Sequence, residues 1–208
     1  MKLRATSALM LSVLMLAGCA TSSISYVPPS DRRVINTMTV NQSFDQVWDR
    51  LVRQLSSDFF VINNIDKNSR LINVSFTTKR PSDFVDCGVT TRQFKNARGD
   101  QNYTYNTADS ASFTHANQQG HVFNVNRNTT MEGRTNIYVA PEGQSTLVSV
   151  NSKYVVTVSM SAVGIDGRPV TPSNLTMDFS TKQGYISSEV TCYALGTIEQ
   201  KILRFVTD

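Results

Sequence analysis

The chain has 208 residues, of which 40% are hydrophobic and 17% charged, a composition typical of one folded domain and unlike that of a disordered or fibrous chain. Its formal net charge is +4, and its only adjacent basic pairs are Arg32-Arg33 and Lys79-Arg80. Because no basic stripe accompanies this small charge, the sequence argues against a nucleic-acid partner.

Residues 1–18 have the pattern of a secretory signal peptide. Lys2 and Arg4 provide a positive start, and an apolar stretch from Ala8 to Leu16 follows. This stretch is far shorter than the ~20 apolar residues needed to span a bilayer, which favours a signal peptide over a transmembrane helix. Removal of Lys2 and Arg4 with the signal leaves a net charge of about +2.

The end of this segment, Leu16-Ala17-Gly18-Cys19, resembles the lipobox of bacterial lipoproteins. The resemblance implies cleavage before Cys19 and acylation of its sulfur and its amine. Two or more acyl chains anchor a protein firmly, since each buried CH₂ contributes about 0.8 kcal/mol. Ala20 stands where an aspartate would imply retention at the inner membrane, so we expect a lipid anchor in the outer membrane, facing the periplasm. The alternative is a secreted protein whose cysteine is unmodified.

The segment behind the anchor, residues 19–33, is predicted to be a lipidated N-terminus and flexible tether. It contains Pro28-Pro29, several serines and few apolar side chains. A single α+β domain is then expected over residues 34–208.

The first part of that domain, residues 34–78, predicts a strand, a helix and a hairpin. Alternation in residues 34–40 favours a half-buried strand. Ser43 and Gln46 match a capping box that opens an amphipathic helix containing Trp48. Two apolar segments separated by residues 67–70 then form the expected hairpin.

Residues 95–121 contain no Leu, Ile, Val or Met. They cannot bury much apolar surface, and we expect an exposed loop whose Tyr103, Tyr105 and Phe113 offer a contact surface to a partner. The alternation of Tyr103 and Tyr105 leaves a hairpin as the alternative.

The rest of the chain is rich in alternating segments that predict strands, and it closes with a helix. Tyr154, Val156 and Val158 alternate strictly, whereas Leu195, Ile198, Ile202 and Phe205 follow helical spacing. Glu132-Gly133 is expected to separate two strands, and Cys192 to open the closing helix.

Two cysteines, Cys87 and Cys192, remain once Cys19 is lipidated. The signal peptide directs the chain to an oxidising compartment, where an even count favours a disulfide. Closing a loop of about 100 residues would stabilise the fold by about 4.7 kcal/mol on the chain-entropy model. Two buried free thiols are the alternative.

The order of these elements predicts an antiparallel sheet with two helices packed on one face, a helix-grip-like α+β fold with one long polar loop. Residues 34–78, and more weakly the closing helix, resemble the repeated domain of the BamC family of outer-membrane assembly lipoproteins. The likeness is a strand leading into the Trp-bearing helix "SFDQVWDRLVRQL" and the hairpin "FFVINNIDKNSRLINVSF". It implies an envelope protein as partner.

Catalytic groups are few. His115 and His121 lie in the polar segment and do not make a metal site, which needs three or four rigid ligands. Asp83 and Asp86 are expected to be surface carboxylates, and Glu199 to be solvated. No G-x-S-x-G motif, phosphate-binding glycine motif or C-x-x-C pair occurs, so we expect neither an enzyme nor a cofactor.

The sequence therefore favours a non-enzymatic, membrane-anchored lipoprotein that acts as an envelope scaffold, assembly accessory or binding module. The alternative is a carrier of a lipid or small hydrophobic ligand between helix and sheet. A cavity between the Trp48 helix and the Val156 strand would favour the carrier, and tight packing there would oppose it.

Overall fold

The structure, a computed structural model, describes residues 20–207. The predicted signal peptide, residues 1–18, and the predicted lipidation site, Cys19, lie outside the described residues.

Thirteen strands and two α-helices follow one another along the described chain. The strands are β1 (Thr21–Val27), β2 (Thr37–Val40), β3 (Val61–Asp66), β4 (Leu71–Thr78), β5 (Val85–Asp86), β6 (Val89–Asn96), β7 (Gly99–Asn106), β8 (Ala111–Ala116), β9 (Val122–Glu142), β10 (Ser145–Gly164), β11 (Pro169–Ser180), β12 (Tyr185–Ile186) and β13 (Thr191–Ala194). The helices are α1 (Phe44–Ser57) and α2 (Thr197–Arg204), and a 3-10 turn covers Pro81–Asp83.

The strands form three antiparallel sheets. The largest has seven strands, in the order β11-β10-β9-β4-β3, with β2 paired to β10 and β8 paired to β9. A second sheet has the order β1-β6-β7, and a third joins β12, β13 and β5. Strands β9 and β10 pair along their length, from Glu142 opposite Ser145 to Phe123 opposite Gly164. They therefore form one long ribbon.

The ribbon is continuous because its inward-facing positions alternate without interruption. The predicted break at Glu132-Gly133 is absent, and both residues lie inside β9. Gly133 lies beneath the ring of Phe76, which a Cβ at this position would overlap. Glycine here makes room for an aromatic ring rather than for a turn.

Both helices pack on the large sheet through narrow apolar faces. In α1 the backbone N–H of Ser43 donates to Gln46 Oε1 at 3.3 Å, as the predicted capping box requires. The side chains that α1 buries are Val47, Trp48, Leu51 and Leu55. Arg50 of α1 donates to the carbonyl of Val206 at 2.9 Å, which ties α1 to the residues following α2.

The prediction of an α+β, helix-grip-like fold is wrong. Of the described residues 57% lie in strands and only 13% in helices, so the fold is predominantly antiparallel β. The prediction failed because segments assigned to a tether and to a loop form strands. Cys192, expected at the start of the closing helix, lies in β13.

The predicted tether is the first of these segments, since residues 21–27 form β1. This strand pairs with β6, from Thr21 opposite Lys95 to Val27 opposite Val89. The hydroxyl of Tyr26 accepts a hydrogen bond from the backbone N–H of Thr191 at 2.9 Å and lies 3.1 Å from the carbonyl of Cys87. Backbone pairing and one anchored tyrosine therefore hold a segment that has few apolar side chains.

The predicted exposed loop, residues 95–121, also contains strands. β7 pairs with β6, and β8 pairs with β9. The hairpin suggested by Tyr103 and Tyr105 is thus the correct alternative. Phe113, expected to be exposed, is buried and stacks on Tyr105 with ring centroids 6.1 Å apart. Aromatic stacking supplies apolar contact here, in a segment without Leu, Ile, Val or Met.

The predicted disulfide is present. Cys87 and Cys192 are bonded, with Cα atoms 4.1 Å apart and a sequence separation of 105. Both are buried in the main core cluster. The bond therefore joins the loop before β6 to β13, next to the final helix.

Within residues 20–207, no helix is both long enough and apolar enough to cross a membrane.

Candidate binding cleft

A cleft of about 450 Å³ opens between the β1-β6-β7 sheet and the large sheet. Val158 and Met160 of β10 line it on one side, and Ile24 of β1 lines it on the other. Even-numbered β10 residues share one face, so Val158 and Met160 lie on the same side of the ribbon as Tyr154 and Val156, which face the helices. The β1-β6-β7 sheet thus covers the ribbon beyond the helices, and the cleft lies at its edge.

Arg127 of β9 lies in this cleft and is 7% exposed. One of its terminal nitrogens donates to the carbonyl of Asp109 and, at 2.8 Å, to the hydroxyl of Thr129. The other donates to the carbonyl of Thr107 at 2.6 Å. Three of the five N–H groups of the guanidinium are engaged in this way, which fixes its position at the base of the cleft.

Arg92 of β6 is the second cation of the cleft. Its Nε donates to the hydroxyl of Tyr105 at 3.0 Å, and its guanidinium carbon lies 4.2 Å from the ring centroid of Phe113. Arg127 approaches Tyr105 as well, at 5.9 Å from the ring centroid. The two stacked rings therefore contact two guanidinium groups, an arrangement that cation–π attraction stabilises.

Neither guanidinium is within ion-pair distance of a carboxylate in the part of the chain that the structure describes. The carboxylate of Asp109 accepts from the backbone N–H and hydroxyl of Ser82, so Arg127 contacts only the carbonyl of Asp109. Burial lowers the pKa of Arg127, yet arginine stays protonated at any physiological pH. The cleft therefore holds two guanidinium groups that have no direct carboxylate partner among residues 20–207, and the exposed Glu189, which also lines the cleft, forms no ion pair with either of them.

The rest of the lining gives the cleft an amphipathic character. Val158 and Val190 are buried, Met160 and Leu175 are half-buried, and Ile24 is 60% exposed. A ligand that fits both parts carries a carboxylate or phosphate next to an apolar group.

The histidines do not join this site. His115 and His121 lie in β8 and in the turn that follows it. Burial, followed by the charge of Arg92, lowers the pKa of His115 and so disfavours its protonated form. Among residues 20–207, no three His, Cys, Asp or Glu side chains are grouped so as to hold a metal ion.

The two aspartates considered for acid–base chemistry have structural partners. Asp83 pairs with Arg80 at 3.2 Å, and Asp86 accepts from the backbone N–H of Gly88 at 2.9 Å. Neither lines the cleft.

Glu199, predicted to be solvated, is fully buried on α2, and this prediction is wrong. Its carboxylate accepts from the hydroxyl of Tyr154 at 3.1 Å and from that of Thr181 at 2.6 Å. Burial, and then the negative charge of Glu199, raise the pKa of Tyr154. The helical pattern of Ile198 and Ile202 places position 199 beside the apolar face, a signal that the sequence contained.

Arg92 and Arg127 were missed by the sequence analysis. Arg127 follows Val125 and precedes Thr129 and Met131 on the alternating face of β9 that points inward. A charged residue on the inward face of a strand is itself a signal of a buried polar site. Arg92 carries no such signal, since its neighbours in the cleft come from β7 and β8.

The layer between helix and sheet is tightly packed. Trp48 and Val156 are 4% and 0% exposed and belong to one continuous buried cluster. The cleft described above does not lie between the Trp48 helix and the Val156 strand. It therefore does not support the carrier hypothesis, which requires a cavity between these two elements.

No protein-family model matches the chain, and comparison of its sequence with curated proteins finds no match.

Proposed function

We propose that the protein is a non-enzymatic lipoprotein, anchored through Cys19 in the outer membrane, whose periplasmic domain binds a segment of an envelope protein. The ligand is a short acidic stretch with an adjacent apolar side chain, bound in the cleft of Arg92 and Arg127. The lipobox at Leu16–Cys19 supports the anchor.

The binding role is proposed from one observation. Two guanidinium groups in the cleft have no carboxylate partner in the described chain, and they lie next to apolar side chains. Arg127 is held by backbone carbonyls and is more than nine-tenths buried. Its guanidinium is therefore already desolvated in the folded protein, before a ligand binds. Arg92 also lines the cleft and is only half-buried, so its charge is available to a ligand. Such preorganised cations increase affinity because little side-chain freedom is lost on binding.

A test uses a photo-reactive amino acid at Ile24, which lines the cleft, in the full lipidated protein within envelopes. Ile186 is the matched control, because it is also an exposed isoleucine, at 71% against 60% exposure, and does not line the cleft. We expect position 24 to crosslink to an acidic segment of an envelope protein, identified by mass spectrometry, and position 186 not to do so.

Two variants of Arg92 decide whether charge holds this ligand. Arg92→Gln removes the charge and is expected to abolish the crosslink at position 24, whereas Arg92→Lys keeps the charge and is expected to retain it. Crosslinking that survives Arg92→Gln in a folded protein would contradict the proposed role of the cleft.

A further inference from the structure

The point where the described chain begins has a fixed place in the fold. Ala20 immediately precedes β1, and Thr21 pairs with Lys95, one residue before β6 ends. A Cβ on Gly120 would lie 3.8 Å from the carbonyl oxygen of Ala20. Ala20 is therefore held between the β6 end and the β8–β9 turn, instead of lying at the far end of a free tether.

This location restricts where the lipid would be attached. Cys19 is joined to Ala20 by one peptide bond, and consecutive Cα atoms are about 3.8 Å apart. A lipid on Cys19 would thus begin within one or two residues of folded structure. The surface around Ala20 then faces the bilayer, because no intervening chain would allow the domain to turn away.

An exposed apolar surface lies beside that point. Gly120 also lines a cleft of about 580 Å³ together with Phe123, Ile165 and Val170, at the turn between β10 and β11. Ile165 is 77% exposed, more than any other large hydrophobic side chain among residues 20–207. Val163 and Val170 are each 43% exposed. We call Phe123, Val163, Ile165 and Val170 the ribbon tip.

Two ion pairs lie at this end of the molecule, and Arg98 in the β6–β7 turn adds one further positive charge. Arg168 lies 3.6 Å from Asp166, and Lys95 lies 3.4 Å from Asp100. Contact with a bilayer at this end would therefore depend on apolar insertion and little on the charge of the lipid headgroups.

We propose that the ribbon tip inserts into the lipid surface next to the acylated Cys19, so that the domain rests on the membrane in one fixed orientation. This inference depends on the proposed lipid anchor and adds a second contact to it. The long β9–β10–β11 ribbon then points away from the membrane, and its helix-bearing end lies farthest from the lipid.

Site-specific spin labelling of the full lipidated protein in vesicles tests this orientation. Cys87 and Cys192 are bonded to each other and a lipidated Cys19 has no free thiol, so a cysteine introduced by Ile165→Cys would be the only reactive thiol among these positions. Ile186→Cys is the matched control, since Ile186 is 71% exposed and lies near the opposite end of β11. Tyr185 pairs with Cys192, whose sulfur lies 3.5 Å from that of Met177. The part of β11 from Pro169 to Met177, roughly 26 Å long, therefore separates the two positions.

The measurement is the collision rate of each label with a water-soluble nickel chelate and with oxygen, which concentrates in lipid. In vesicles of phosphatidylethanolamine, with or without phosphatidylglycerol, we expect position 165 to show a severalfold fall in nickel collisions and a rise in oxygen collisions. Position 186 should show neither change, and both results should be the same with and without the anionic lipid.

Flotation of the same samples separates the two hypotheses. Protein that does not float with the vesicles would overturn the lipid anchor and the inference that rests on it. Protein that floats while position 165 stays as accessible to the nickel chelate as position 186 would overturn the ribbon-tip contact and leave the anchor standing. Protection at position 165 only with phosphatidylglycerol would contradict the apolar basis of the contact.

Discussion

The hydroxyl of Tyr154 lies 3.1 Å from a carboxylate oxygen of Glu199 in a region of the core where both side chains are fully buried. The carboxylate of Glu199 has no salt-bridge partner among the described residues, and the hydroxyls of Tyr154 and Thr181 are its hydrogen-bond donors. A buried anion without a cation depends on such donors for its stability. This relationship, between strand β10 and helix α2, therefore links the last helix to the long ribbon.

Tyr154→Phe tests that dependence. Loss of the hydroxyl leaves the carboxylate with one donor fewer, and hydrogen bonds to charged groups contribute about 1.5–3 kcal/mol, so we expect the free energy of unfolding to fall by that amount. Urea titration measures it. In the Glu199→Gln background the same substitution should cost clearly less, because the acceptor is no longer charged. Equal losses in the two backgrounds would show that the charge of Glu199 is not what Tyr154 stabilises.

The raised pKa of Tyr154 predicts a loss of stability in alkaline solution. Its ordinary value is 10.0, and burial and then Glu199 raise the pKa in the folded state. Above pH 10 the unfolded chain loses this proton while the folded protein keeps it, so the stabilisation is complete below pH 10 and declines as pH rises further. The free energy of unfolding is therefore expected to fall by about 1.4 kcal/mol for each pH unit above pH 10.

Urea midpoints measured between pH 9 and 11 check this expectation. The Tyr154→Phe variant should show a shallower decline than the parent protein, since both share every other titrating group. Parallel declines would contradict the assignment of the effect to Tyr154.

Loss of the disulfide should lower stability strongly. Because the bond closes a loop with a sequence separation of 105, the double substitution Cys87→Ala and Cys192→Ala is expected to reduce the free energy of unfolding by about 2–5 kcal/mol. Reduction of the parent protein serves as the control and should give a loss of similar size. Two free thiols per chain, titrated in the denatured but unreduced protein without its signal segment, would refute the bond.

Cys19→Ser should release the protein from membranes. The expectation follows from the lipobox, since serine cannot take the thioether-linked diacylglycerol that the anchor requires. Fractionation of envelopes after washing without detergent provides the measurement. A variant that still remains with the outer membrane would show that another contact holds it there.

Deletion of residues 97–119 should cause a large fall in melting temperature. It would remove all of β7 and β8, and with them the carbonyls of Thr107 and Asp109 that hold the buried guanidinium of Arg127. An unpaired buried cation is among the most destabilising changes in a core. A melting temperature close to that of the parent would mean that the two strands contribute little to the fold.

The elements that could be predicted were those whose signals are local. The capping box and apolar face identified the helix over 44–57, and strict alternation identified much of β10 and β11. Tyr103 and Tyr105 also carried a hairpin pattern, but the absence of Leu, Ile, Val and Met argued against it. Strands β7 and β8 pair with the strands next to them in sequence, β6 and β9, through backbone hydrogen bonds and aromatic contacts, which a count of large apolar residues does not detect.

The candidate cleft could not be predicted because its charged residues come from two separate hairpins, β6–β7 and β8–β9. Arg92 and Arg127 come from β6 and β9, and only the pairing of β8 with β9 and the stacking of Tyr105 on Phe113 bring their guanidinium groups to one cleft. Glu199 likewise acquires its partner, Tyr154, from a strand 45 positions away. Contacts of this kind follow from topology, which periodicity in one segment does not specify.

The sequence by itself predicted the pairing of Cys87 with Cys192, because two cysteines remain once Cys19 is assigned to the predicted lipobox, and the structure confirms the bond. It also determined the amphipathic helices, whose period is set within one segment. Only the tertiary structure decided that residues 21–27 are a strand rather than a tether. Their few apolar side chains are held by backbone hydrogen bonds to β6 and by Tyr26, and those partners exist only after the chain has folded.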